Sequence, residues 1–134
     1  MSKWNGKACH LCGLGTLHDG KKTTSQYYRE HCYTTEISGA FCDHCGDGVI
    51  DFDPAEEERW LSFRRQVDAD EAAELFRIRK KLKLSQVKAA RLAGGGKNAF
   101  SRYERGQAKP VAAVTNLFKL LDKHPELIKE LQQT

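Results

Sequence analysis

The chain has 134 residues, a net charge of +4 and five cysteines. It has no apolar run of about 18 residues that could span a bilayer and no apolar leader, so we expect a soluble, cytoplasmic protein without a membrane partner. In that compartment an odd number of cysteines indicates metal or redox chemistry rather than disulfides. Residues 71–134 hold 14 Lys and Arg against 6 Asp and Glu, which indicates either a solvated basic surface or a polyanionic partner.

The first part of the chain, residues 1–67, is predicted to be a small α+β zinc domain with short strands and a helix. Between Cys9 and Cys45 the sequence is rich in Gly, Thr and Tyr, which favours short strands joined by turns. Asp53 and Pro54 predict a helix start, because Asp accepts hydrogen bonds from free amides and Pro suits the first helical position. The apolar residues on one face of that helix are Trp60, Phe63 and Val67.

A short linker, residues 68–70, is predicted to separate this domain from an all-α helix-turn-helix domain at residues 71–134. Asp68 and Asp70 interrupt the apolar periodicity and could cap the next helix. Beyond them, apolar residues recur at helical spacing in three stripes, which predicts five short helices. The stripes are Leu75, Ile78 and Leu82; Val111, Val114, Leu117, Phe118 and Leu121; and Leu127, Ile128 and Leu131.

Two Cys-x-x-Cys pairs, Cys9/Cys12 and Cys42/Cys45, are separated by 29 residues. Zinc prefers four soft ligands in a tetrahedron, and two such pairs on neighbouring turns provide them. We therefore predict one structural Zn²⁺ per chain, bound by these four cysteines. Four protein thiolates leave no position for a water molecule, so the sequence predicts no enzyme activity. A redox-sensing dithiol is the alternative.

The remaining thiol and the nearby histidines are not expected to bind the metal. Cys32, the fifth cysteine, is predicted to be buried or half-buried. Histidine is a common zinc ligand, but the four cysteines already complete the set. The histidines predicted to lie on the surface are His10, His18, His31 and His44.

Residues 85–106 are predicted to form two short helices joined by a turn. Ser85 is a typical N-cap for the first helix. The run Gly94-Gly95-Gly96 ends that helix, because glycine is a poor helix former. Gly106 suits the left-handed conformation beyond the end of the second helix.

Two polar residues, Asn98 and Arg102, lie four apart on the exposed face of the second helix. Arg pairs with guanine and Asn with adenine in the major groove of DNA, so we predict that these two read bases. A solvated polar face is the alternative. The residues predicted to contact phosphates or to support that contact are Gln86, Lys97, Ser101, Arg105 and Lys109.

The protein is predicted to be a homodimer that binds a palindromic double-stranded operator. One short recognition helix covers few base pairs, and two-fold symmetry doubles the contacts. The predicted dimer interface, which also contributes to the core, consists of Val111, Val114, Leu117 and Leu121.

The segment from Ser85 to Gly106 resembles the Cro/repressor type of helix-turn-helix, and the region shared with that family runs from about Glu71 to Leu121. That resemblance implies a buried or half-buried ion pair between Arg79 and Glu104, the alternative being two independent surface charges. Removal of one partner of such a pair would leave an isolated charge.

The order of the two modules resembles the MqsA antitoxin family. The resemblance rests on the paired cysteines followed by Asn-Ala-Phe-Ser-Arg-Tyr-Glu at 98–104 and Leu-Asp-Lys-His-Pro-Glu-Leu at 121–127. It implies that the zinc domain binds and masks a small ribonuclease toxin, MqsR, and that the second domain represses the operon encoding both. A free-standing regulator that senses zinc or oxidants is the alternative. Residues 3–7 extend ahead of the first cysteine pair, and the sequence leaves their role open.

Overall fold

The structure, a computed structural model, describes residues 3–132. A three-stranded antiparallel sheet precedes the helices, as predicted. The elements are β1 (Leu17–Tyr28), β2 (His31–Cys42), β3 (Gly48–Ile50), α1 (Pro54–Lys81), α2 (Gln86–Leu92), α3 (Ala99–Glu104), α4 (Ala112–Lys123), a 3-10 turn (Pro125–Leu127) and α5 (Ile128–Gln132). The chain divides into two compact units, the N-terminal unit (Met1–Phe63) and the C-terminal unit (Arg64–Thr134). Within residues 3–132, every helix is too short or too polar to cross a membrane.

The N-terminal unit is built on a long β-hairpin. β1 pairs with β2 from Leu17 opposite Cys42 to Tyr28 opposite His31, and β3 pairs with the other edge of β2. The predicted short length is wrong for β1 and β2, which have 12 residues each. The two turn residues between them, 29 and 30, have φ values of 49 and 73°. A two-residue hairpin turn requires such left-handed conformations, but an Arg-Glu pair gives no sign of them in the sequence.

The helix α1 runs without a break from Pro54 to Lys81. It begins as predicted, because Asp53 Oδ1 accepts a hydrogen bond from the Ala55 amide at 3.0 Å. The predicted interruption at residues 68–70 is wrong. Gly and Pro are absent between Pro54 and Lys81, and the Gln66 side chain donates to Asp70 Oδ1 at 2.9 Å, which stabilises the turn that the aspartates were expected to end.

Within the N-terminal unit, aromatic residues join the start of α1 to the sheet. The Tyr33 ring on β2 lies 5.3 Å from the Trp60 ring and 5.1 Å from the Phe63 ring. The Tyr33 hydroxyl donates to Glu56 Oε1 at 2.7 Å. This hydrogen bond, together with the Arg59 guanidinium, lowers the pKa of Glu56. Two of the three residues of the predicted apolar face, Trp60 and Phe63, therefore have their partner on β2.

The described part of the C-terminal unit, residues 64–132, consists of helices joined by turns and short loops. Its core centres on Phe100 and Phe118, whose ring centroids lie 4.8 Å apart. The Ser85 hydroxyl accepts from the Lys88 amide at 3.1 Å, which confirms the predicted cap of α2. Gly106 follows α3 with a φ of 74°, which confirms the predicted end of that helix. The buried core residues are Leu75, Ile78, Leu84, Ala89, Ala90, Phe100, Val114 and Phe118.

Candidate metal centre and nucleic-acid interface

The two Cys-x-x-Cys pairs meet at the open end of the β-hairpin. The β1–β2 register places Leu17 opposite Cys42, which brings the turn before β1 next to the turn after β2. The two turns are built alike: the Gly13 amide donates to the Cys9 carbonyl at 3.0 Å, and the Gly46 amide donates to the Cys42 carbonyl at 3.1 Å. Both glycines have left-handed φ values, 70 and 78°. Each turn thus directs two sulfurs to one point.

The four thiols are close enough to share one metal ion. All four sulfur atoms lie within 4.8 Å of one another. Cys9 Sγ is 3.8 Å from Cys45 Sγ, and Cys12 Sγ is 3.6 Å from Cys42 Sγ. In a tetrahedral zinc site with bonds of about 2.3 Å, neighbouring sulfurs lie about 3.8 Å apart. The predicted ligand set is confirmed as a cluster that fits a tetrahedral metal ion.

Backbone amides favour the ionised form of two of these thiols. The Leu14 amide donates to Cys12 Sγ at 3.4 Å and lowers the pKa of Cys12 to about 6. The Cys45 amide donates to Cys42 Sγ at 3.4 Å and lowers the pKa of Cys42. The pKa of Cys45 moves to about 12, because burial and the neighbouring thiols outweigh the lowering effect of the Asp47 amide. The backbone amides therefore favour the thiolate form of Cys12, and a bound cation would favour the thiolate form of Cys45.

The surroundings of the cluster favour a closed, structural site. Cys9 and Cys42 are buried and Cys45 is exposed. A side chain at Gly15 would overlap with the Cys42 sulfur, so only glycine fits at that position. Four protein ligands complete a tetrahedron and leave no position for a substrate. The arrangement can hold a metal and fix two turns together.

The fifth cysteine lies at the other end of the hairpin. Cys32 pairs with Tyr27 in the sheet and is exposed. The prediction that it is buried or half-buried is wrong, because neighbouring residues of a strand face opposite sides of the sheet and Tyr33 takes the side that packs on α1. The Cys32 sulfur contacts the Thr34 hydroxyl at 3.6 Å. The histidines predicted on the surface are exposed: His10, His18, His31 and His44.

In the C-terminal unit, the two residues predicted to read bases lie on the exposed face of α3. Phe100 is fully buried and anchors the helix from the opposite face. The Asn98 carbonyl accepts from the Arg102 amide at 3.1 Å, so the two residues are one helical turn apart. Both are exposed, and within residues 3–132 neither side chain has a recorded hydrogen bond or ion pair. Their polar groups are available to a ligand.

A buried ion pair stabilises the C-terminal end of α3. Arg79 Nε and Nη2 donate to the two carboxylate oxygens of Glu104 at 2.7 and 2.8 Å. Both side chains are 8% exposed. Arg79 Nη1 also donates to the Leu84 carbonyl at 3.0 Å. The predicted pair is confirmed, and it fixes the end of α3 against the end of α1 and the turn that follows it.

Several cations surround the exposed face of α3. Lys97 and Arg105, both predicted to contact phosphates, are exposed, and Ser101 between them is half-buried. Lys88 and Arg91 on α2 are also exposed; the sequence analysis missed them, although their spacing of three places them on one helix face. None of these four cations has an ion pair to a carboxylate in the described part of the chain.

The two other residues predicted to contact phosphates have partners inside the C-terminal unit. The Gln86 side chain donates to Glu104 Oε1 at 3.3 Å. Lys109 Nζ lies 3.1 Å from Asp68 Oδ2. Each side chain would have to leave this partner to reach a phosphate. The structure therefore separates them from Lys97. Arg105 differs again, because its Nε donates to the Ser101 carbonyl of the same helix at 3.2 Å.

The stripe predicted as the dimer interface is partly used in the chain's own core. Val114 and Leu121 are 8 and 1% exposed, and Leu117 is half-buried. Val111 is 64% exposed, and Leu120, which was not predicted, is 49% exposed. Contact with a second chain would therefore use Val111, Leu120 and part of Leu117.

Comparison with known proteins places both sites in one family. Residues 7–132 match the family described as the antitoxin component of bacterial toxin-antitoxin system, MqsA. The chain is 36% identical over 129 residues to Antitoxin MqsA of Escherichia coli (strain K12), and the alignment covers 92% of this chain and 98% of the relative. The range matched by the family includes the cysteine cluster and both α2 and α3.

Proposed function

The chain belongs to the MqsA family of antitoxins, and we propose that it neutralises a ribonuclease toxin of the MqsR type and represses the operon that encodes both proteins. Family membership gives the general role, the antitoxin component of a toxin–antitoxin system. The observation that carries the proposal is the extent of the similarity to the E. coli antitoxin, which spans nearly all of both chains. A regulatory protein of this kind requires binding sites and no catalytic centre.

We assign toxin binding to the N-terminal unit and DNA binding to the C-terminal unit. Residues 64–134 contain 16 Lys and Arg against 8 Asp and Glu, whereas residues 1–63 contain 6 against 10. The phosphate backbone of DNA attracts the first surface and repels the second. A ribonuclease needs a cationic surface for RNA, so an acidic antitoxin unit suits it electrostatically. This division follows the two compact units.

The metal of the cysteine cluster is proposed to be Zn²⁺, with one ion per chain. Four thiolates in a tetrahedron are typical of structural zinc, and the sulfur separations suit its bond lengths. When bound, the ion supplies charge neutralisation and a crosslink between the turns before β1 and after β2. The chain's own contribution is to hold four sulfurs at one point.

The proposed operator contact places α3 in the major groove. Asn98 and Arg102 would pair with adenine and guanine, while Lys97, Ser101 and Arg105 would hold phosphates on either side. A homodimer would present two such helices to a palindrome, with Val111 and Leu120 as the exposed apolar residues for its interface. Lys109 and Gln86 would contribute only after release from their partners.

The toxin assignment is tested by co-expression of the chain with the ribonuclease encoded beside it. We expect a stable complex in size-exclusion chromatography and rescue of cell growth. If the two proteins elute separately and growth is not restored, the toxin assignment is wrong, and the free-standing zinc- or redox-responsive regulator becomes the better description.

The DNA assignment is tested by titrating the protein against its own promoter duplex and a scrambled duplex at several salt concentrations. Arg102→Ala should weaken binding to the promoter by about 1–3 kcal/mol and barely change binding to the scrambled duplex. Lys97→Ala is the control, because loss of a phosphate contact should weaken both duplexes alike and reduce the salt slope by about one. Equal losses on both duplexes for Arg102→Ala would mean that Arg102 contacts the backbone instead.

A further inference from the structure

The chain carries an N-terminal arm, residues 3–8, ahead of the first cysteine pair. It runs along the beginning of β1 and is held there by backbone hydrogen bonds. The Gly6 amide donates to the Leu17 carbonyl at 2.8 Å, and the Leu17 amide donates to the Lys7 carbonyl at 2.8 Å. Ala8 forms a bridge with Thr16. The arm is therefore fixed next to the metal centre.

The arm places one aromatic side chain, Trp4, on the metal centre. Trp4 is half-buried and packs against the core cluster of the N-terminal unit. That cluster consists of Cys9, Leu17, Ala40 and Cys42, so two of its four members are metal ligands. The arm bends back at this point, because the Lys7 amide donates to the Trp4 carbonyl at 3.1 Å. The indole thus covers buried ligands on one side of the cluster.

Two lysine ammonium groups lie close to the Trp4 indole. Lys3 Nζ lies 5.2 Å and Lys7 Nζ 5.7 Å from the centre of the Trp4 ring, distances at which ammonium groups are attracted to an aromatic face. A divalent ion bound by four thiolates carries a net charge of −2, so nearby lysines stabilise it. Cys45, in contrast, is exposed. Attack by a chelator is therefore open near Cys45 and obstructed near Cys9.

We propose that Trp4 is a positioning residue of the metal centre, which covers the buried cysteine ligands and slows the release of zinc. Loss of metal from a closed site requires local opening that exposes the ligands. The arm must move before the buried ligands become accessible on this side, because Trp4 packs against the cluster that contains Cys9 and Cys42. This role is independent of toxin or DNA binding and holds for any function of the chain.

The test is the rate of zinc transfer from the full-length protein to an excess of 4-(2-pyridylazo)resorcinol, followed by its absorbance. Trp4→Ala should release zinc about tenfold faster or more, because local opening becomes easier. Trp4→Phe should retain most of the protection, since an aromatic ring still covers the ligands. Phe52→Ala is the matched control: Phe52 is an aromatic residue of the same unit, is 81% exposed, and its loss should leave the rate unchanged.

The thiolate-to-metal absorption bands of the cobalt-substituted variants separate this role from a general loss of fold. They should be unchanged in Trp4→Ala if only access to the ligands changes. Release from Trp4→Ala at the wild-type rate would overturn the proposal, as would equal acceleration in Phe52→Ala or altered cobalt bands.

A second measurement keeps Trp4 intact. The chain has two tryptophans, so Trp60→Phe leaves Trp4 as the sole indole. Acrylamide should quench its fluorescence weakly in the zinc-loaded protein and strongly after chelation. Identical quenching in the two states would also overturn the proposal.

Discussion

The two units of this protein differ in what stabilises the fold of each. The buried core cluster of the N-terminal unit has four members, Cys9, Leu17, Ala40 and Cys42. The C-terminal unit has an apolar core of eight buried residues around Phe100 and Phe118. A small unit with so little buried apolar surface needs another source of stability, and a metal ion held by the four cysteines would provide it. We therefore expect the N-terminal unit to depend on metal and the C-terminal unit to depend on apolar burial.

Removal of the metal should have the largest effect and should affect one unit only. Structural zinc contributes about 10–16 kcal/mol of apparent binding energy in small domains, which exceeds what four small buried residues supply. Chelation, or Cys42→Ser, should therefore collapse the amide signals of residues 3–63 in two-dimensional NMR. The signals of residues 64–132 should persist.

Cys32→Ser is the matched control for this prediction, because Cys32 is exposed and lies at the other end of the hairpin. It should leave zinc content and both sets of signals unchanged. If the N-terminal unit stays folded in protein that contains no bound metal, apolar burial alone is enough to stabilise that unit and the prediction is wrong.

Breaking the buried ion pair should give the next largest effect, in the opposite unit. Arg79→Ala leaves Glu104 with an uncompensated charge at a site where both side chains are 8% exposed, which costs about 3 kcal/mol. Urea unfolding of the C-terminal unit should shift accordingly, with zinc content unchanged. Arg77→Ala removes two pairs that are more exposed, with Glu74 and with Asp122, and should shift the transition less. Equal shifts for the two variants would refute the distinction between them.

Local chemistry made the metal site and the helix ends predictable. The four cysteine ligands could be identified from their residue type and spacing, because the two members of each Cys-x-x-Cys pair lie on a single turn. Ser85 and Gly106 mark helix ends through their own backbone preferences. The pair Arg79–Glu104 was expected only from resemblance, because nothing local links two charges on separate helices.

Features that depend on contacts between distant residues could not be predicted. The hairpin turn uses Arg29 and Glu30 in left-handed conformations that glycine usually adopts. The ion pair of Lys109 with Asp68 joins residues on separate segments, so Lys109 looked like a free cation in the sequence. The exposure of Cys32 likewise depends on which face of β2 packs against α1.

Acid should weaken the C-terminal unit through one half-buried carboxylate, that of Asp122, and this is the smallest of these effects. Arg77, and then Lys81, lower the pKa of Asp122 to about 2 from its usual 3.8. Because the folded-state pKa is the lower one, Asp122 stabilises the fold fully above pH 3.8, and this contribution is lost as the pH falls towards 2. Asp122→Asn should remove this part of the pH dependence. The urea midpoint reported by C-terminal NMR signals checks it, and an unchanged pH profile in Asp122→Asn would contradict it.

The proposed separation of a metal-dependent toxin-binding unit from a metal-independent DNA-binding unit is tested most directly by one pair of titrations on the full-length protein. Promoter duplex and toxin are each titrated before and after chelation. We predict that chelated protein binds the promoter with a Kd close to that of the zinc-loaded protein and no longer binds the toxin. Loss of both activities on chelation, or retention of both, would contradict the division of the chain into two units with separate sources of stability and separate partners.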